Sequence, residues 1–222
     1  MYKNTTLLRM ALIAFAALVL PAAASAIVAK DTAATPGAGT LIEATNTGSF
    51  VWTVGGSPYI ECSKATMTGS IAENGPSVIK ANITAASFSG TSGPEGKECI
   101  SASGSMNITI TSLPWCLTIV EKNATFAIRG GKCAEATKNI TLTLDMTTLL
   151  GTVSCAYTRA GSISGTFTSG SEAIHSTVLT ANGGPITSTT GGICPAEGIL
   201  DMTYDLYTDG KEHSDANRLW IQ

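Results

Sequence analysis

Few residues of this chain are of the types that carry out catalysis. The two histidines, His175 and His213, are the possible general bases, and neither lies in a recognisable motif. A serine hydrolase of the nucleophile-elbow type needs Gly-x-Ser-x-Gly, but residues 161–165 place Ile163 at the serine position. No nucleotide-binding glycine pattern and no His-Glu-x-x-His motif occurs. The sequence therefore predicts no enzyme, no catalytic residue and no cofactor.

Acidic residues recur every fourth position near the end of the chain, at Asp201, Asp205 and Asp209. On a strand, Asp201 and Asp205 would share one face, so we expect a solvated polar row there. A glycosidase carboxylate pair or a calcium site is the alternative. The spacing lacks the Asp-x-Asp-x-Asp-Gly loop that wraps calcium, so no metal site is predicted.

Cysteines form the clearest chemical pattern. The chain has six of them, and no Cys-x2-Cys pair or neighbouring histidine favours a metal site. An even number is typical of a disulfide framework in an exported chain, so we expect three bridges. The sequence leaves the pairing open. The predicted bridge residues are Cys62, Cys99, Cys116, Cys133, Cys155 and Cys194.

Export itself is predicted from residues 1–26, which resemble a secretory signal peptide. Lys3 and Arg9 precede a short apolar run at residues 11–20, and Ala-Ser-Ala at residues 24–26 is a small-x-small cleavage site. The run is shorter than the roughly 20 apolar residues that span a bilayer. We therefore expect a secreted, extracellular product with no membrane span after the signal is removed.

Composition restricts the partners of the remaining chain. The full chain has a formal net charge of −3, and loss of Lys3 and Arg9 with the predicted signal leaves 11 basic against 16 acidic residues, a net charge of −5. Only 13% of residues are charged, so no basic surface is expected to attract nucleic acid. Residues 27–39, rich in Ala, Thr, Gly and Pro, are predicted to be a flexible leader. Residues 40–222 are predicted to form a single β-domain.

Strands are predicted from alternation of apolar and polar residues. Ile140, Leu142, Leu144 and Met146 alternate with polar residues, whereas a helix would scatter them around its circumference. Similar short runs recur along the chain, separated by Gly, Pro and Asn turn signals. They favour an all-β, disulfide-stabilised antiparallel β-sandwich, Ig-like or jelly-roll-like, with a closed barrel as the alternative.

A structural corner is predicted at Leu113, Pro114 and Trp115, where two alternating runs meet. Proline cannot donate to a β-ladder, so Pro114 should set the bend. Trp115 should fill the end of the core, and Cys116 should anchor the corner. The alternative is that Trp115 stacks on a ligand. The aromatic residues that could line a cleft, most of them expected in the core, are Trp52, Trp115, Trp220, Tyr157, Tyr204 and Tyr207.

Several short motifs give the chain a resemblance to small exported bacterial β-proteins. It is distantly similar to the secreted "protein activator of alkane oxidation" family, which shares the Leu-Pro-Trp corner. The resemblance implies an extracellular β-domain linked to surfaces, biofilm matrix or hydrocarbon contact, and supplies no catalytic residue. Cys116 and Cys133 depart from the shared pattern and imply an added bridge. The motifs are Tyr59–Gly69, Ser87–Gly90, Leu113–Trp115, Cys155–Tyr157 and Cys194–Pro195.

The predicted function is that of a secreted, non-enzymatic β-domain with a structural, adhesive or matrix role at the bacterial cell surface. Low charge and threonine-rich strands suit self-association through exposed strand edges, or contact with cell-surface and matrix components. The leader at residues 27–39 could add a strand to a neighbour. The alternative is an extracellular binding or carrier module for an apolar or sugar ligand.

Overall fold

The structure, a computed structural model, describes residues 29–30, 35–91, 98–101, 104–149, 151–171, 174–208 and 218–221. The predicted signal peptide lies outside these residues, as do His213 and Asp209. The described residues form β-strands and one 3-10 turn, at Glu121–Asn123. They hold no helix of the length and hydropathy that a membrane span needs. The all-β prediction is confirmed.

Seventeen strands occur among the described residues. They are β1 (Ala29–Lys30), β2 (Leu41–Asn46), β3 (Phe50–Val54), β4 (Ser57–Cys62), β5 (Lys64–Asn74), β6 (Val78–Ser89), β7 (Cys99–Ser101), β8 (Gly104–Ile110), β9 (Trp115–Val120), β10 (Thr125–Gly130), β11 (Ile140–Thr148), β12 (Gly151–Arg159), β13 (Ile163–Ser171), β14 (Ile174–Asn182), β15 (Ile186–Ser188), β16 (Glu197–Thr208) and β17 (Trp220–Ile221).

Consecutive strands join end to end into long columns, which we call staves. The first seven staves are β2 with β3, β4 with β5, β6 with β7, β8 with β9, β10 with β11, β12 with β13, and β14 with β15. The eighth stave is the uninterrupted β16. Each stave pairs with the next in an antiparallel hairpin, and β16 pairs back to β2 and β3 of the first stave. The result is a closed up-and-down barrel.

Closure gives the architecture that the sequence favoured only as an alternative to a sandwich. Strand alternation requires one buried face, and a sandwich and a barrel both supply one. The two folds differ in whether the last stave pairs with the first. Here Leu206 lies opposite Ala44, and Leu200 lies opposite Trp52. These pairings connect segments more than 100 residues apart, which no local pattern reveals.

The core occupies the barrel interior. In β11, Ile140, Leu142, Leu144 and Met146 are buried, as their two-residue period predicts. Trp52 is fully buried and packs edge-on against Tyr157, with ring centroids 4.8 Å apart. The core requires small residues where neighbours approach closely. A Cβ built on Gly198 would lie 1.5 Å from Trp52 Nε1, so β16 passes the indole with no room for a side chain.

All six cysteines pair, in chain order, which confirms the prediction of three bridges. The first bridge joins β4 to β7, neighbours in the second and third staves. The second joins β9 to the loop between β10 and β11, as the resemblance implied. The third joins β12 to the segment that precedes β16. The bridges are Cys62–Cys99, Cys116–Cys133 and Cys155–Cys194.

A small two-stranded sheet covers one end of the barrel. Strand β1 pairs with β17, with Ala29 opposite Ile221. Both residues, with Leu219, line an apolar cavity of about 20 Å³ whose other walls belong to barrel strands. Asn74 fixes this cap, because its Oδ1 accepts a hydrogen bond from the Ala29 amide at 2.9 Å. Residues 27–28 and 31–34 of the predicted leader lie outside the described residues.

Candidate functional site

The predicted corner lies in the middle of the fourth stave, in the link between β8 and β9. The Leu113–Pro114 peptide bond is cis. Trp115, the first residue of β9, is 4% exposed and belongs to the core. Its Nε1 donates a hydrogen bond to Ser112 Oγ at 3.1 Å, and the same oxygen accepts the Thr141 amide at 2.8 Å. Trp115 is thus a core residue and offers no face for stacking on a ligand.

A loop of residues 131–139, which we call the cysteine loop, interrupts the fifth stave and lies against the barrel beside this corner. Cys133 is bonded to Cys116 of β9, and its amide donates to Asn82 Oδ1 of β6 at 2.8 Å. The Gly131 amide donates to the Pro114 carbonyl oxygen at 2.8 Å. The loop is therefore fixed to the third and fourth staves. It shields the Cys116 side chain, which is 2% exposed.

The corner and the cysteine loop enclose a surface pocket of about 340 Å³, which we call the corner pocket. Leu113, Pro114 and Ala134 give it an apolar side. Lys132, Lys138 and Glu135 give it a charged rim, and all three charged residues are exposed. The full lining is Ser112, Leu113, Pro114, Gly131, Lys132, Ala134, Glu135 and Lys138.

The charged rim was not among the residues singled out from sequence. Lys132 and Lys138 flank Cys133 in a short segment after Gly130-Gly131, and that spacing was the available signal. The two lysines reach the corner only because the Cys116–Cys133 bridge holds the cysteine loop against Pro114. Within the described part of the chain, neither lysine ammonium group has an ion-pair or hydrogen-bond partner.

The interior cavities lined by described residues are much smaller than the corner pocket. Two apolar ones have volumes of about 20 Å³ each, close to the space for a single water molecule. Small-molecule pockets usually measure about 300–1,000 Å³. A second surface pocket, of about 230 Å³, lies near Tyr59 and the exposed Ile100. Among these spaces, only the corner pocket combines adequate volume with charged groups.

The aromatic residues considered as ligand platforms are all buried. None is more than 7% exposed, so the prediction that most belong to the core is confirmed. They therefore contribute to packing and do not form an accessible stacking surface. The buried residues are Trp52, Trp115, Trp220, Tyr157, Tyr204 and Tyr207.

Three tyrosines keep their protons well above neutral pH. Burial raises the pKa of Tyr157 to about 12, and the neighbouring Tyr59 phenol adds to the shift. Burial also raises the pKa of Tyr59 and that of Tyr204. The Tyr157 hydroxyl donates to the Pro195 carbonyl oxygen at 3.1 Å, whereas the Tyr204 hydroxyl is buried without a partner. None of the three phenols is positioned to act as a base at neutral pH.

The acidic row predicted on β16 is divided between two environments. Asp201 is exposed, as expected. Asp205 is only 5% exposed and forms an ion pair with Arg218 at 3.4 Å, so the expectation of a fully solvated row is wrong. The cause is the C-terminal segment, which bridges to Tyr207 through Arg218 and covers this part of β16. The described residues contain no cluster of three or more potential metal ligands.

Threonines line up across neighbouring strands on the outside of the barrel. They form two rows, which we call the outer threonine rows. Thr111 and Thr141 are in direct contact, with hydroxyl oxygens 2.8 Å apart. The first row comprises Thr125, Thr166, Thr180 and Thr203 on β10, β13, β14 and β16. The second comprises Thr111, Thr141, Thr158 and Thr187, from the end of β8 across β11 and β12 to β15.

No protein-family model, curated protein or solved structure matches the chain. The similarity to the secreted activators of alkane oxidation therefore stays a prediction. The barrel surface and the corner pocket are the features of the molecule that bear on its function.

Proposed function

We propose that the protein is a secreted, non-enzymatic barrel with a structural, adhesive or matrix role at the bacterial cell surface. The outer threonine rows carry this proposal. The three disulfides support it, since intramolecular bridges are typical of extracellular proteins. A rigid barrel with a packed interior suits a protein that contacts other molecules through its outer surface.

The outer threonine rows provide a regular, uncharged hydrogen-bonding surface. Neighbouring strands lie about 4.7–4.9 Å apart, so threonines directly opposite one another repeat at that spacing. Each hydroxyl both donates and accepts, so a row can satisfy a partner that is itself rich in hydroxyl groups. Polysaccharides have this chemistry. Thr111, Thr166 and Thr187 are exposed and are the most accessible members of the rows.

Barrel closure directs the proposed adhesion to the surface of the staves and away from their edges. The described staves pair on both sides, with β16 completing the ring. A closed barrel has no free edge to which another strand could add. We therefore place contact with other molecules on the outer faces. The sequence also suggested self-association by adding a strand to an exposed edge, but the paired staves leave no free edge to which such a strand could bind.

A binding module is the second candidate function, and the corner pocket favours its sugar-binding form. The pocket measures about 340 Å³ and has both apolar and charged walls. The two interior cavities lined by described residues, at about 20 Å³ each, offer an apolar ligand much less space. The adhesive and sugar-binding proposals are compatible, because an adhesive protein can hold a matrix polymer through such a pocket.

Adsorption to purified biofilm matrix tests the adhesive role. The mature chain, residues 27–222 with its bridges intact, should sediment with matrix polysaccharide at low protein concentration. Thr166→Val and Thr187→Val together remove two exposed hydroxyls while keeping β-branched side chains of similar shape. We expect the double variant to adsorb more weakly. The matched control combines Thr152→Val with Thr168→Val, two exposed threonines on β12 and β13 outside both rows.

The result that would overturn the proposal is a wild-type protein that stays unbound and monomeric at high concentration, by sedimentation and size-exclusion chromatography. Adsorption that is equal for wild type and the double variant would reject the threonine rows as the adhesive surface. Circular dichroism and thermal unfolding should be unchanged in both variants. That comparison ensures that weaker adsorption reflects the missing hydroxyls.

A further inference from the structure

We infer that the corner pocket binds a carboxylate-bearing sugar unit of an acidic polysaccharide. The inference rests on the proposed adhesive role and names the ligand class for one site. Three features of the pocket support it: a rigid frame, unpartnered positive charge and an apolar wall.

The frame is held from both sides, so the pocket exists before any ligand binds. The Cys116–Cys133 bridge attaches the cysteine loop to β9, and Asn82 Oδ1 accepts the Cys133 amide hydrogen bond at 2.8 Å. On the other side, Ser112 Oγ accepts the Thr141 amide at 2.8 Å and the Trp115 indole at 3.1 Å. A preformed pocket loses little conformational entropy on binding.

The charge of the pocket differs in sign from that of the whole chain. Lys132 and Lys138 contribute two positive charges against one negative charge from Glu135, whereas the chain has a formal net charge of −3. Both ammonium groups lack partners within the described residues, so an incoming anion displaces no existing ion pair. Ammonium groups form charge-assisted hydrogen bonds to carboxylate and phosphate oxygens. The rim therefore selects an anion.

The apolar wall selects a ligand with more than an anionic group. Leu113, Pro114 and Ala134 line the side of the pocket next to the corner. An inorganic anion would leave this wall without a partner. A sugar ring carries C–H groups on its faces and can pack against such a wall while its carboxylate reaches the lysines. The volume of about 340 Å³ lies at the lower end of the usual range for small-molecule pockets.

A galacturonic acid trimer is a suitable probe of the pocket, and its methyl ester is a neutral ligand of nearly the same shape. Isothermal titration of the mature, oxidised protein should give binding of the trimer and about tenfold weaker binding of the ester. Lys132→Ala combined with Lys138→Ala should weaken trimer binding by about tenfold or more. Raising the salt concentration should also weaken it, since the lysines are solvent-exposed.

The matched control removes two lysines elsewhere. Lys64 and Lys80 lie on β5 and β6, outside the corner pocket, and the Lys64→Ala/Lys80→Ala variant changes the net charge by the same amount. It also breaks the solvent-exposed Lys80–Glu73 ion pair, which contributes little to stability. Its affinity for the trimer should stay within about twofold of wild type. An equal loss in both double variants would show non-specific attraction and overturn the site. Unchanged circular dichroism spectra will establish that the variants fold.

Competition with inorganic phosphate distinguishes a sugar site from a general anion site. Phosphate that binds as tightly as the trimer and displaces it would overturn the sugar assignment, as would equal affinity for acid and ester. If the trimer does not bind but the protein still adsorbs to matrix, the inference is wrong and the adhesive role stands. If both binding and adsorption are absent, both proposals are wrong.

Discussion

Replacing Trp115 with alanine is the most direct test of how the corner contributes to stability. The side chain is 4% exposed, and its indole borders an apolar cavity of about 20 Å³ among the core residues. Truncating a buried tryptophan costs about 3–5 kcal/mol, through lost transfer free energy and the cavity left behind. The new void would join an existing one, which favours the upper half of that range.

The hydrogen bond of the Trp115 indole accounts for a smaller part of this loss. Removing the indole leaves Ser112 Oγ with the Thr141 amide at 2.8 Å, so no buried acceptor is orphaned. A typical hydrogen bond contributes about 0.5–1.5 kcal/mol net. Trp115→Phe retains most of the ring area and loses only the indole donor and some volume. We expect it to cost about 1–2 kcal/mol, which separates packing from hydrogen bonding.

Equilibrium urea unfolding of the oxidised protein, followed by far-UV circular dichroism, measures these losses. Leu113→Ala is the control at the same corner, because Leu113 is only partly buried and should cost less. An unchanged m value would confirm that the denatured state is comparable. A loss below about 1 kcal/mol for Trp115→Ala would refute a core role. If that stable variant had also lost ligand binding, Trp115 itself would belong to the site.

Three further perturbations probe other parts of the barrel. Gly198→Ala should destabilise by about 1–3 kcal/mol in thermal unfolding, because its Cβ would lie 1.5 Å from Trp52 Nε1; a neutral result would contradict the packing of Trp52 against β16. Tyr204→Phe removes a buried, unpartnered hydroxyl and should leave stability unchanged or raise it by about 1 kcal/mol at neutral pH. Burial raises the pKa of Tyr204 above its ordinary value of 10.0. Above that pH the unfolded chain can ionise this phenol, whereas the folded protein keeps it neutral. Wild-type stability should therefore fall as pH rises beyond 10.0, and the phenylalanine variant should lose less in the same pH series. Replacing both Cys62 and Cys99 with alanine opens a loop with a sequence separation of 37 and should cost about 3–4 kcal/mol in urea unfolding; a loss near zero would contradict a stabilising role for this bridge.

The local structure of the barrel could be predicted from sequence because side chains in a strand alternate between two faces. Ile140 and Leu142 point into the core, while Thr141 and Thr143 between them are partly exposed, as their order requires. The three disulfides were also predictable from the even number of cysteines together with the predicted signal peptide. Both inferences use local pattern or residue count and need no knowledge of which strands pair.

The corner shows which features a local sequence pattern can predict and which it cannot. Pro114 marked a break between strands, and the burial of Trp115 followed from its place in an alternating run. The pocket beside them could not be predicted, since it needs the cysteine loop to return to Pro114 through the Cys116–Cys133 bridge. Residue types alone left Lys132 as an ordinary surface lysine. Its neighbours in space give it a candidate role.

An all-β chain with buried alternate residues and three bridges, and without a recognisable catalytic motif, could be predicted from the order of its residues. Closure of the sheet, the pairing of the cysteines, the burial of Asp205 and the pocket shared by two lysines could not. The difference lies in the range of the interactions involved. Strand alternation follows from peptide geometry over a few residues. Closure depends on the register of β16 against β2 and β3, segments that meet only when the whole barrel has formed.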